Sequence, residues 1–179
     1  FYRRVTSVQT RMPTIKMLNS KRSIEMDEQD HQALNDIEEH GCHVLNVMEG
    51  EGEPSFTYSI GINKVQNKPD VVILGLKTEL AHSMVNNYKD RLLKGENFET
   101  GKYYSDFLGD FKVCFVKVAK KHFEEYFGWG LWLHNGDNFE MLQMVWPTKD
   151  GVWPWHEEKS DLYKWAQPVL NGNGTLSEI

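Results

Sequence analysis

His40, Cys42 and His43 place three candidate metal-ligating side chains within four residues, in donor types that suit zinc. A strand over Cys42–Met48 would send Cys42 and His43 to opposite faces, so the spacing supports no metal site. His156-Glu157-Glu158 begins like a zincin helix, but no second histidine follows at the spacing that motif requires. Ser59 lies in Tyr-Ser-Ile-Gly and not in the Gly-x-Ser-x-Gly elbow of a hydrolase nucleophile, so its expected role is structural. No phosphate loop or dinucleotide fingerprint occurs, and the glycine-rich places read as turns. No catalytic constellation emerges, and a cofactor is left unassigned.

The stretch with the most binding chemistry is Leu142 to Trp155. Trp146, Trp153 and Trp155 fall within ten residues, with Pro147 and Pro154 among them. Met141–Trp146 reads as a strand, Pro147 ends its ladder, and Lys149-Asp150-Gly151 supplies a turn. Pro154 then forces Trp153 into an extended conformation, so a rigid strand–turn–strand aromatic corner is expected. Such a corner either plugs a core or forms one wall of a pocket, with tryptophan to stack on a ligand and Gln143 to hydrogen-bond it. In either case Tyr58, Gln143, Trp146 and Trp153 are expected to converge in one cluster. The candidate ligand- or partner-binding residues are therefore Tyr58, Ser59, Gln143, Trp146, Trp153, Trp155 and His43.

Positioning these groups needs a scaffold, and hydrophobic periodicity outlines one. Ser23–Glu39 reads as an amphipathic helix, with Asp27 and Asp30 at its N-cap and Gly41 at its stop. Cys42–Met48 and Ser55–Ile62 read as an antiparallel hairpin across an acidic turn, with Phe56, Tyr58, Ile60 and Ile62 on one face. The apolar run within Asp70–Leu76 suits a central strand. Thr78 is placed to cap a helix running through Leu80, Met84, Val85, Tyr88, Leu92 and Leu93 to Gly95. Glu96–Asp110 reads as a loop, Phe111–Val118 as a buried strand, and His122–Phe127 as a short helix. Trp129–Leu133 either continues that helix or forms an edge strand. Asn135-Gly136 then turns the chain into the strand that leads to Trp146. The fold class expected is α+β: a mixed, mainly antiparallel, curled or barrel-like sheet of five or six strands with two or three packed helices.

With 179 residues, 40% of them hydrophobic, one globular domain is expected. Residues 1–24 carry six basic side chains and no acid, so the remainder holds 14 basic against 26 acidic groups, a net charge of −12. An acidic body repels nucleic acid and weighs against a nucleic-acid-binding role. Residues 1–22 are expected to be a basic arm outside the fold, 23–165 the domain, and 166–179 a polar tail. No apolar run approaches a membrane span. Cys42 and Cys114, each in an apolar run, are expected as free thiols in the cytoplasm.

Four stretches resemble the bacterial family known as domain of unknown function 4262. Gly41-Cys42-His43-Val44 stands where that family tends to show Gly-Trp-His-Val. Phe56-Thr57-Tyr58-Ser59-Ile60-Gly61-Ile62 is similar to its Phe-x-Tyr-Thr-Ile-Gly-Leu, and Lys68-Pro69-Asp70-Val71 to its His-Pro-Glu-Leu. Gln143-Met144-Val145-Trp146-Pro147 with Gly151-Val152-Trp153-Pro154-Trp155 resembles Gln-x-x-Trp-Pro-Asp-x-x-Gly-x-Phe-Pro-Trp, Thr148 replacing the acid. The resemblance covers roughly residues 37–158 and implies no established function. The expected role is a non-enzymatic binding module of accessory or toxin-neutralising type, with an unknown small molecule or protein as partner. The alternative is an enzyme or cofactor binder with an aromatic pocket between the Tyr58 strand and the Trp146–Trp155 corner. Flavin is the first ligand to test, although no Arg/Lys pair on the strands stands ready to hold its phosphate.

Overall fold

The structure is a computed structural model that describes residues 8–9, 26–50 and 52–172. Its elements in chain order begin with β1 (Val8–Gln9), α1 (Glu28–His40), β2 (His43–Val47), β3 (Phe56–Ile60), α2 (Ile62–Gln66), β4 (Asp70–Leu74) and α3 (Thr78–Leu93). They continue with β5 (Tyr103–Leu108), β6 (Phe111–Lys117), α4 (Phe123–Tyr126), α5 (Gly128–His134), β7 (Met141–Val145) and α6 (Asp161–Ala166). The strands form one mixed sheet in the order β1-β2-β3-β4-β7-β6-β5. Six of them are five to seven residues long, and β1 adds two residues in parallel to the edge of β2. Apart from that pair and the parallel β4–β7 pair, neighbours run antiparallel.

The sheet is neither closed nor strongly curled, which corrects the barrel-like expectation. β1 and β5 lie at opposite ends of the order. The reason is that apolar side chains fill both faces of the strands. On one face Leu45, Tyr58, Ile60, Val72 and Leu74 pack with Ala33 and Ile37 of α1, Phe123 of α4 and Trp129 of α5. On the other, Val71, Ile73, Phe115, Leu142 and Met144 pack with Ala81, Met84, Val85 and Tyr88 of α3. A sheet buried by helices on both sides stays open as a middle layer.

α1 starts with a reciprocal capping box between Asp27 and Asp30 and ends at Gly41, as its sequence predicts. The stripe of α3 is shifted: Ala81 is buried, whereas Leu80 and Leu93 are exposed. Thr78 is the first helical residue of α3, and Lys77 holds the cap position. Ile62 leaves the Phe56–Tyr58–Ile60 face because Gly61, at φ +102°, turns the chain into α2; a Cβ there would meet Ile37 Cγ1 at 2.6 Å.

Glu96–Asp110 is not all loop. Tyr103–Leu108 pairs with β6 across a register shift between Tyr104 and Leu108, and Asp106 takes a positive φ of 68°. That irregularity breaks the alternation by which a strand is read. Arg91 of α3 anchors this edge: its guanidinium lies 4.4 Å from the Phe107 ring, bonds Glu96 at 2.7 Å and donates to Ser105 O. Trp129–Leu133 lies in a helix, α5, and Asn135 caps that helix. Among the described residues no strand follows Trp153, so the corner is a strand followed by turns. The expected tail is packed through Asn171: Gln167 is 1% exposed and Leu170 2%. Of the basic arm only β1 is described; the remainder lies outside the described residues.

Candidate functional site

His43 opens β2 and points at the flank of α1. Its Nδ1 lies 2.6 Å from Asp36 Oδ2, and the imidazole is 5% exposed. The Trp129 ring stands 6.4 Å away. A carboxylate that orients a histidine is the arrangement of a general base, but here the imidazole is covered by protein. Asp36→Ala leaves Nδ1 buried without its partner and should lower stability by about 1–3 kcal/mol in urea denaturation. Cys42, beside it, is a buried free thiol, and burial pushes its pKa up to about 12. Among the described residues no group of three or more His, Cys, Asp or Glu side chains converges as a metal site.

Tyr58 and Ser59 follow the pleat to opposite faces of β3. Tyr58 is 2% exposed, edge-on to Phe127 at 5.4 Å, and burial raises its hydroxyl pKa. Ser59 donates to Asp70 Oδ1 at 2.8 Å and accepts from the Val71 N–H at 3.0 Å. Asp70 also accepts from the N–H groups of Ile62 and Asn63 at 3.1 Å each, so the fully buried carboxyl pins the start of α2. Desolvation outweighs these donors and raises the Asp70 pKa to about 7. The Ser59 hydroxyl both donates and accepts within this network, which makes it an internal brace.

Gln143 sits on β7 and Trp146 directly follows that strand, and both find partners in the C-terminal segment. Gln143 is completely buried; its Nε2 donates to Pro168 O at 2.8 Å and its Oε1 accepts from the Leu170 N–H at 2.7 Å. Trp146 donates from Nε1 to Leu74 O at 2.8 Å, and its ring meets Tyr163 edge-on at 5.3 Å. Gln167 clamps the Trp146 backbone, accepting from its N–H at 2.9 Å and donating to its carbonyl at 2.8 Å.

The expected convergence of Tyr58, Gln143, Trp146 and Trp153 does not form. Val72 of β4 separates Tyr58 from Gln143 in the sheet register. Tyr58 belongs to the α1–α4–α5 core, whereas Trp146 packs on the α3 core. The pleat explains this: Trp146 directly follows β7 and keeps the parity of Leu142 and Met144 on the α3 side, whereas Gln143 takes the opposite parity.

Trp153 and Trp155 make a separate group at the β5 edge. Their rings are parallel within 9° at 5.1 Å, and Tyr103 of β5 meets Trp153 edge-on at 5.0 Å. Pro154 between them is buried, while Tyr103 keeps 45% of its surface open. Thr148 and Val152 close the preceding turn, and His156 Nδ1 accepts from the Trp153 N–H at 3.3 Å. The result is a braced aromatic platform at an open sheet edge.

Asp36, Asp70 and Tyr103 are absent from the sequence-based site list. Asp36 falls between the core positions Ala33 and Ile37 of α1, a signal that it lies beside the buried stripe. Asp70 heads a continuous apolar run, where an acid is unusual enough to need buried partners. Tyr103 carries no comparable signal, because its strand was hidden by the register shift.

A family model described as Domain of unknown function (DUF4262) matches residues 36–160. No curated protein and no solved structure matches the chain. The match takes in every strand from β2 to β7 together with the His43, Ser59–Asp70, Gln143–Trp146 and Trp153–Trp155 groups, and the chain belongs to the DUF4262 family.

Proposed function

We infer that the domain is a non-enzymatic binding module that meets a protein partner through the Tyr103–Trp153–Trp155 platform. The observation that carries this reading is the parallel Trp153–Trp155 pair with half-open Tyr103 against it, at the sheet edge formed by β5. Aromatic rings held rigid by proline and turn hydrogen bonds lose little entropy on contact, which is why tryptophan and tyrosine dominate binding hot spots. The alternative chemistry points inward: His43 is covered, Ser59 is bonded to Asp70 and Val71, and both thiols are buried. Two buried free thiols fit a reducing compartment, so the cytoplasm is the proposed site of action. No helix among the described residues is long and apolar enough to cross a membrane.

Affinity capture compares the wild-type chain with Trp153→Ala/Trp155→Ala. The half-buried rings should cost about 1–2 kcal/mol of stability when removed, leaving the variant folded. A partner retained by the wild type and lost by the folded variant supports the reading, and identical retention by both overturns it.

A further inference from the structure

The C-terminal segment binds the domain much as a peptide ligand would. Its contacts use backbone and side chain together: Pro168 O and Leu170 N–H bond the Gln143 amide, Leu170 O accepts from the Ala119 N–H at 2.8 Å, and the Gln167 side chain holds the Trp146 backbone. A glutamine amide presents one donor and one acceptor, as a peptide group does, so it pairs with an extended backbone independently of that backbone's sequence. Side-chain selectivity comes from Gln167, Leu170 and Tyr163, the buried Gln167 amide pairing with the Trp146 N–H and carbonyl. Leu170 enters the core at 2% exposure, and Tyr163 meets Trp146. The groove is also shaped for close backbone approach: a Cβ on Gly75 would meet Ala166 O at 2.3 Å, and Gly75 has a φ of +71°. The receiving residues Gln143, Trp146, Gly75 and Ala119 all lie within the family match at 36–160, whereas the occupant, α6 and the residues after it, lies beyond that match.

We propose that this groove is a peptide-binding site whose resident occupant is residues 161–171, and that an extended Pro-x-Leu segment of another protein replaces it. Pro-x-Leu is the chemistry that the resident defines. The carbonyl of proline accepts from Gln143, its missing N–H is not used, and a branched apolar side chain two residues later fills the Leu170 seat while its N–H donates to Gln143. A tethered occupant competes at an effective concentration in the millimolar range, so exchange needs a multivalent partner or a weakened resident. This site is independent of the aromatic platform, and either can fail without the other.

The test uses the full chain carrying Tyr163→Ala/Leu170→Ala, which weakens the resident, and a fluorescent peptide of residues 160–172. Saturable binding at least about tenfold tighter than to the wild-type chain is expected, because the wild-type site is filled in cis. A peptide N-methylated at the Leu170 nitrogen should lose that binding, since it cannot donate to Gln143. Absent binding, equal binding to both chains, or an unaffected N-methyl peptide would each overturn the proposal. If the variant does not fold, hydrogen exchange on the wild-type chain decides. A displaceable segment exchanges its Leu170 amide at least about 100-fold faster than the Met144 and Val116 amides, and equal rates make it core and overturn the proposal.

Discussion

Trp146→Ala is expected to lower the unfolding free energy by about 3–5 kcal/mol, read as a reduced denaturation midpoint at unchanged slope. The size follows from what the indole connects. Its ring packs on the α3 core and against Tyr163, and its Nε1–H satisfies Leu74 O at the end of β4. Alanine would leave a cavity and an unpaired carbonyl together. Trp146→Phe separates the two, since it keeps most of the packing and loses the hydrogen bond, and it should cost about 1–2 kcal/mol. A loss below about 1 kcal/mol for Trp146→Ala would mean that the indole is not a structural link between β4, β7 and α6.

Asp70 should make stability fall as pH rises from about 3.8 to about 7. Its carboxyl titrates near 7 in the folded protein against an ordinary 3.8, so the folded state holds this proton more tightly than the unfolded chain. The stability contributed is fully present below about 3.8, declines as pH rises, and is lost above about 7. At about 1.4 kcal/mol per pH unit the span corresponds to roughly 4 kcal/mol. Asp70→Asn removes the titration while disturbing one hydrogen bond, because an amide nitrogen must then face a donor. The wild type should therefore exceed Asp70→Asn in stability by several kcal/mol at pH 4, with the gap narrowing by pH 8. A gap that widens as pH rises would show that Asp70 is held as a carboxylate by Ser59, Ile62 and Asn63.

The central strands and the long helices were legible because local pattern and tertiary packing agree there. Val71–Leu74 reads as buried on both sides and is so, and Asp27–Gly41 carries its own cap and stop. What escaped the sequence depends on contacts distant along the chain. Tyr103–Leu108 is a strand only because β6 pairs with it around an irregular register. Gln167–Asn171 falls in the stretch that reads as a polar tail, yet it is buried because Gln143 and Trp146 satisfy its backbone and its amide. The candidate site divided for a similar reason. Its residues were each identified as buried or aromatic, but which face each one takes is set by strand parity and by β4 inserting between β3 and β7. Only the Trp153–Trp155 pair stayed together, since two residues joined by one proline need no distant partner to be neighbours.

The most direct test of the binding-module account is tryptophan oxidation by N-bromosuccinimide, mapped by mass spectrometry, on the free protein and on its captured complex. The account predicts that Trp153 and Trp155 oxidise readily in the free protein and are protected in the complex, while buried Trp129 is unreactive in both. Equal oxidation of Trp153 and Trp155 with and without the partner would contradict it, because the platform would then not be where the partner sits.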